Sequence, residues 1–128
     1  MRITGIYAAL VALLILILAA RVMLLRFKLR VGIGDGGDRQ LAKRIRAHAN
    51  AIEYVPIALI LLLLVELNQT QPAIVHGFGI TLLVARVLHA IGLSLRSGTS
   101  AGRFLGTTLT ILVIAAMALL LLWQTFLR

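Results

Sequence analysis

The sequence predicts an all-α integral membrane protein, a four-helix bundle, on three observations: its apolar content, the length of its apolar runs and the placement of its charges. Of 128 residues, 61% are hydrophobic and the mean hydropathy is +1.04, whereas soluble domains hold about 45–50% apolar residues. Four runs, 3–25, 47–67, 72–95 and 104–127, each approach or exceed the roughly 20 residues that a helix needs to cross a bilayer. Lysine and arginine gather in the connections. No run could bury its backbone and side chains without the others, so 1–128 reads as a single transmembrane domain.

The first run, Ile3 to Leu25, holds 23 residues, or roughly 35 Å of helix, enough to cross with some tilt. Met1-Arg2 and the small pair Ala19-Ala20 imitate a signal peptide, but the basic residues that follow at once favour a retained anchor. The connection after it contains Gly32-Ile33-Gly34-Asp35-Gly36-Gly37-Asp38. It lacks the spacing and lysine of a phosphate-binding loop, and its aspartates would repel phosphate, so it reads as a turn with Asp38 as N-cap of the next helix. That helix begins near Arg39 as an interfacial extension. Pro56 removes a backbone donor from it and predicts a kink near the bilayer boundary. Pro72 suits the first turn of the third helix. The small connection Ser97-Gly98-Thr99-Ser100-Ala101-Gly102 delivers Arg103 to the start of the fourth.

Composition removes several function classes. Without cysteine there is no disulfide, thiolate zinc site or cysteine nucleophile, and three scattered histidines do not make a metal site. The net charge of +9 does not point to nucleic acid, because the basic residues flank apolar spans and aromatic residues are only 5%. By the positive-inside rule, the basic first connection and the one holding Arg96 and Arg103 face the cytoplasm. Asn68-Gln69-Thr70-Gln71 and both termini then lie outside.

The most informative stretch runs from Arg46 to Pro56, because it carries polar groups into an apolar run. Arg46, Asn50, Glu53 and Tyr54 fall at i, i+4, i+7 and i+8, on one helix face. Ionisable groups inside a span usually face the bundle interior or a wet cavity and mark function. A structural reading pairs arginine with carboxylate so that each tolerates the bilayer. The binding reading is favoured, because guanidinium, amide and carboxylate together suit a zwitterionic, peptide-like ligand. Arg86 and His89, at i and i+3 on the third helix, are expected to point inward as well, the structural alternative being a bridge from Arg86 to Glu53. His48 projects away from the stripe's centre, towards the headgroups or a neighbouring subunit. His76 reads as interfacial, Arg21 as a snorkelling side chain, and Arg26 as placed to line the cytoplasmic site. Arg103 is either a snorkelling anchor or a cation that holds a ligand thiol as thiolate. Glu66, 13 residues beyond Glu53 and roughly 20 Å along the helix, is too distant to share the site.

The pattern Arg46-x-x-x-Asn50-x-x-Glu53-Tyr54-x-Pro56, on the second of four spans after a basic connection, resembles the MAPEG family, membrane-associated proteins in eicosanoid and glutathione metabolism. The short form with Ile33 to Asp38 ahead of Arg46-Ala47-His48-Ala49-Asn50 is similar to its bacterial branch. The resemblance covers essentially the whole chain. It implies a homotrimer in the bacterial inner membrane, with glutathione as cofactor between adjacent subunits near the cytoplasmic side. Carried over by position, Arg46, Asn50, Glu53 and Tyr54 resemble glutathione-binding residues. Arg103 resembles the arginine proposed to stabilise the thiolate. Arg26, Arg86 and His89 are similar to site-lining positions, and His48 matches a variable polar position. Two departures stand out: Gly92 and Leu93 lie where some members carry a tyrosine, and Ala49 where some carry a further arginine.

Three functions follow as expectations. A membrane glutathione transferase or peroxidase would act on lipophilic electrophiles or hydroperoxides. A non-catalytic lipid- or glutathione-binding protein would keep the packing without turnover. A transporter or channel is disfavoured by the dry stretch from Ile60 to Val65. Partners are accordingly other copies of the chain, membrane lipids and a lipophilic small molecule.

Overall fold

The computed structural model describes residues 2–95 and 101–127. Arg96, Arg128 and residues 97–100 of the expected third connection lie outside the described residues. Among the described residues four helices account for the fold, α1 (Ile3–Leu29), α2 (Arg39–Leu67), α3 (Pro72–Leu95) and α4 (Ala101–Phe126), and all are long and apolar enough to cross a membrane. α2 and α3 form the central pair, each touching every other helix. α1 and α4 flank that pair without touching each other among the described residues.

α1 runs on to Leu29, past the end of the apolar run at Leu25, because Arg26 and Lys28 are good helix formers and their charges favour a helix C-terminus. Arg30 ends it in the left-handed region at φ 55°. The Val31 N–H then reaches back 3.1 Å to the Arg26 carbonyl, closing a Schellman-type turn. Gly36, at φ 58°, packs where a β-carbon would strike Val31. Asp38 caps α2 as expected, its Oδ1 accepting from the Leu41 N–H at 2.7 Å. α2 continues unbroken through Pro56.

The core has two parts. Towards the 68–71 turn, Tyr7, Ala58, Leu62, Val65, Val75, Leu82, Val113 and Met117 interlock. Towards the first connection the buried positions are small, with Ala47, Ala51 and Ala90 beside Leu18, which lets the helices approach closely.

At the 68–71 end Glu66 has a use that spacing along α2 did not reveal. Its carboxylate accepts the Ile3 N–H at 2.6 Å and the Thr4 N–H at 2.8 Å. It thereby caps the start of α1, where orphan amides and the helix dipole favour an anion. Nearby, the Tyr7 hydroxyl and His76 Nδ1 hydrogen-bond at 2.8 Å, so His76 is a cross-helix partner as well as interfacial. Replacing Glu66 by alanine is expected to cost about 1–2 kcal/mol and replacing it by glutamine about half that, read as thermal midpoints in detergent. Equal midpoints for all three proteins would refute the capping role.

Candidate functional site

The polar stripe of α2 forms, but it divides along its length. At about 100° per residue, Arg46 and Glu53 lie only some 20° apart, whereas Asn50 and Tyr54 step about 40° and 80° from Arg46. That second direction is the side of the buried residues Ala47, Ala51, Val55 and Ala58. Asn50 and Tyr54 are accordingly half-buried, while the side chains of Arg46 and Glu53 are 65% and 50% exposed. Arg46 Nη1 lies 3.9 Å from Glu53 Oε1, in ion-pair range and too far for a hydrogen bond. Both ions therefore keep hydrogen-bonding capacity for a third party. Glu53 is 14 residues from Leu67, roughly 21 Å along α2, and hence about 9 Å inside a 30 Å hydrocarbon layer that begins at Leu67. The same face continues as Ile57, Ile60 and Leu64, all exposed.

Arg86 lies on the inner side of the stripe and is 2% exposed. Its Nη2 donates to Asn50 Oδ1 at 2.8 Å and lies 3.4 Å from His89 Nδ1. Its Nη1 is 3.4 Å from Thr110 Oγ1, and its Nε has no partner among the described residues. Arginine cannot accept, so His89 receives at Nδ1 and carries its proton on Nε2. The alternative bridge from Arg86 to Glu53 is not formed. Glu53 turns outwards to Arg46, and a neutral amide from one turn earlier takes its place. No carboxylate stands within ion-pair range of Arg86 among the described residues.

Thr110 is the member that sequence reasoning missed. Its hydroxyl donates to the Gly106 carbonyl at 2.7 Å, leaving its lone pairs to face Arg86. A signal existed in Gly106-Thr107-Thr108-Leu109-Thr110, a small and hydroxylated stretch at the start of an apolar run. Gly106 brings α4 against the α3 backbone, since a β-carbon there would lie 2.6 Å from both the Ala85 carbonyl oxygen and the His89 nitrogen.

The remaining candidates surround this centre unevenly. Tyr54 lies within electrostatic reach of Arg86, and Arg103, exposed in the first turn of α4, within reach of His89. Arg26 is half-buried in the last turn of α1 and spends one N–H on the Gly32 carbonyl, at 3.3 Å. His48 points about 200° around α2 from Arg46, away from the pair. The structure thus joins Asn50, Arg86, His89 and Thr110 in one network and Arg46 with Glu53 in a looser pair. Arg26 and His48 belong to neither.

Comparison with known proteins spans all four helices. The sequence model of the MAPEG family matches residues 4–123. Over 90 residues the chain is 43% identical to inner membrane protein YecN of Escherichia coli strain K12, covering 70% of this chain and 69% of that protein. Identity and coverage are the same for the protein of that name in Escherichia coli O6:H1 strain CFT073.

Proposed function

The chain belongs to the MAPEG family, and from that premise we propose that it is a multi-pass inner-membrane protein that binds glutathione on the charged face of α2 and uses it against lipophilic electrophiles or hydroperoxides. One observation carries the reading. Arg46 and Glu53 sit on the outer surface of a membrane-length helix, loosely paired, with Arg46 at the edge of the hydrocarbon layer and Glu53 inside it, where a charge facing lipid costs up to roughly 2.5–3.5 kcal/mol. Something other than lipid must cover Glu53. A second copy of the chain does so in a homotrimer, and glutathione fills the polar gap at the boundary.

In this arrangement a ligand carboxylate takes the Arg46 fork and the ligand ammonium takes Glu53. Asn50 Oδ1 is held by Arg86, so its amide N–H groups are what remain for a peptide carbonyl. Arg103 stabilises the thiolate, a fixed cation favouring the anionic form of the thiol. In conjugation the thiol proton leaves to water and the thiolate electron pair forms a C–S bond. The electrophile's leaving group departs with the pair of the bond that breaks. Arg26 and His48 serve the site only if the neighbouring subunit brings them to it.

The test mixes glutathione with the purified protein and follows binding by calorimetry and thiolate by its ultraviolet absorbance. Binding with thiolate formation is expected, and Arg103→Ala should abolish the thiolate signal while leaving binding within a few-fold. An unchanged signal in that variant would remove Arg103 from the chemistry. Tight binding without conjugation of any electrophile in a broad panel would establish the non-catalytic reading instead.

A further inference from the structure

The second concentration of charge in this molecule lies outside the α2 stripe. Arg21, Arg39, Gln40, Lys43 and Arg44 line a crevice of about 260 Å³ between the late turns of α1 and the first turns of α2. Arg44 reaches across it, donating from Nη1 to the Arg21 carbonyl at 2.8 Å, while its buried Nε has no acceptor among the described residues. The chain has four acidic residues, and each is engaged elsewhere. Asp35 accepts from Gly37 and Asp38 from Leu41, Glu53 faces Arg46, and Glu66 caps α1. None stands in ion-pair range of Arg39, Lys43 or Arg44 among the described residues. A cleft walled by guanidinium and ammonium groups, with a buried N–H lacking an acceptor, is complementary to an anion.

Position identifies the source of the anion. Arg21 follows Ile3 by 18 residues, roughly 27 Å along α1, which places the crevice at the headgroup level of a 30 Å hydrocarbon layer. Below Arg21, Leu13 and Ile17 lie at successive i−4 positions on the same helix face, and both are exposed. They form an apolar track running from the crevice into the bilayer. We propose that this crevice binds the headgroup phosphate of an anionic phospholipid whose acyl chains lie along that track. A zwitterionic headgroup would bring its ammonium against the same cations and is disfavoured. The site is independent of the thiol-binding reading and stands or falls without it.

The probes are phosphatidylglycerol, phosphatidylcholine with the same chains, and inorganic phosphate, each titrated into the full-length protein in a neutral detergent, with binding read by native mass spectrometry. Phosphatidylglycerol is expected to bind at least tenfold more tightly than phosphatidylcholine. Each basic residue near a lipid surface contributes roughly fivefold. Arg39→Gln with Lys43→Gln should therefore weaken phosphatidylglycerol by more than tenfold and leave phosphatidylcholine unmoved, and adding Arg44→Gln should weaken it further. The charge-matched control Lys28→Gln with Arg30→Gln should lose less than threefold. An equal loss in the control would mean diffuse surface charge and overturn the proposal. So would equal affinity for the two lipids. Displacement of phosphatidylglycerol by millimolar inorganic phosphate would assign the crevice to a free anion and overturn the lipid assignment. Among the described residues neither Arg39 nor Lys43 makes a side-chain hydrogen bond, so the test survives if the triple variant fails to fold.

Discussion

Replacing Gly106 by alanine is expected to lower the thermal midpoint markedly. The new β-carbon would lie 2.6 Å from the Ala85 carbonyl oxygen and from the His89 nitrogen, and 2.8 Å from the His89 β-carbon. Two of these are backbone atoms that no rotamer change can move, so α4 must withdraw from α3. Overpacking of this kind costs about 1–3 kcal/mol, and leucine at the same position should prevent assembly of the bundle. Withdrawal also carries Thr110, one turn further on, away from Arg86, which removes an acceptor from a buried cation. Gly77→Ala is the matched control, since a β-carbon there meets nothing within 4 Å. It should be neutral or stabilising by up to about 1 kcal/mol through helix propensity. Circular dichroism melts of the two variants in one detergent decide the matter, and indistinguishable midpoints would refute the close approach of α3 and α4.

The second large effect concerns the exposed pair. Arg46→Ala and Glu53→Gln are each expected to weaken glutathione binding by roughly 10- to 100-fold, the value of a lost charge-assisted hydrogen bond. The exchanged variant, with Arg46→Glu and Glu53→Arg together, separates binding from structure. Two residues that serve only each other would work equally well in reverse, and binding would recover. A ligand held by its carboxylate on one and its ammonium on the other meets the wrong charge at both ends. The exchange should therefore restore stability and not affinity, and recovery of affinity would assign the pair a purely structural role.

Much of this could be read from the sequence, for identifiable reasons. Runs of some twenty apolar residues have no other use than spanning, so the four helices were legible, and Asp38 announced the start of α2 by chemistry confined to one turn. Helix ends were less so. α1 persists to Leu29 and α4 begins at Ala101, because charged and small residues continue a helix beyond its apolar part. Pairings between distant residues were illegible in principle. Glu66 meets Ile3 across 63 positions, and Tyr7 meets His76 across 69. In the polar stripe the residue types were readable, but not how they would divide. That the interior cation Arg86 takes Asn50 and Thr110 while Glu53 is left outside depends on where α3 and α4 lie against α2.

The proposed function requires that outward-facing pair to be completed by another copy of the chain and by a thiol ligand. The most direct measurement is the native mass of the protein released from detergent, with and without glutathione. A trimer that gains glutathione, and whose Arg46→Ala form remains trimeric but gains none, is the predicted result. A monomer, or a trimer whose uptake of glutathione is indifferent to Arg46 and Glu53, would contradict it.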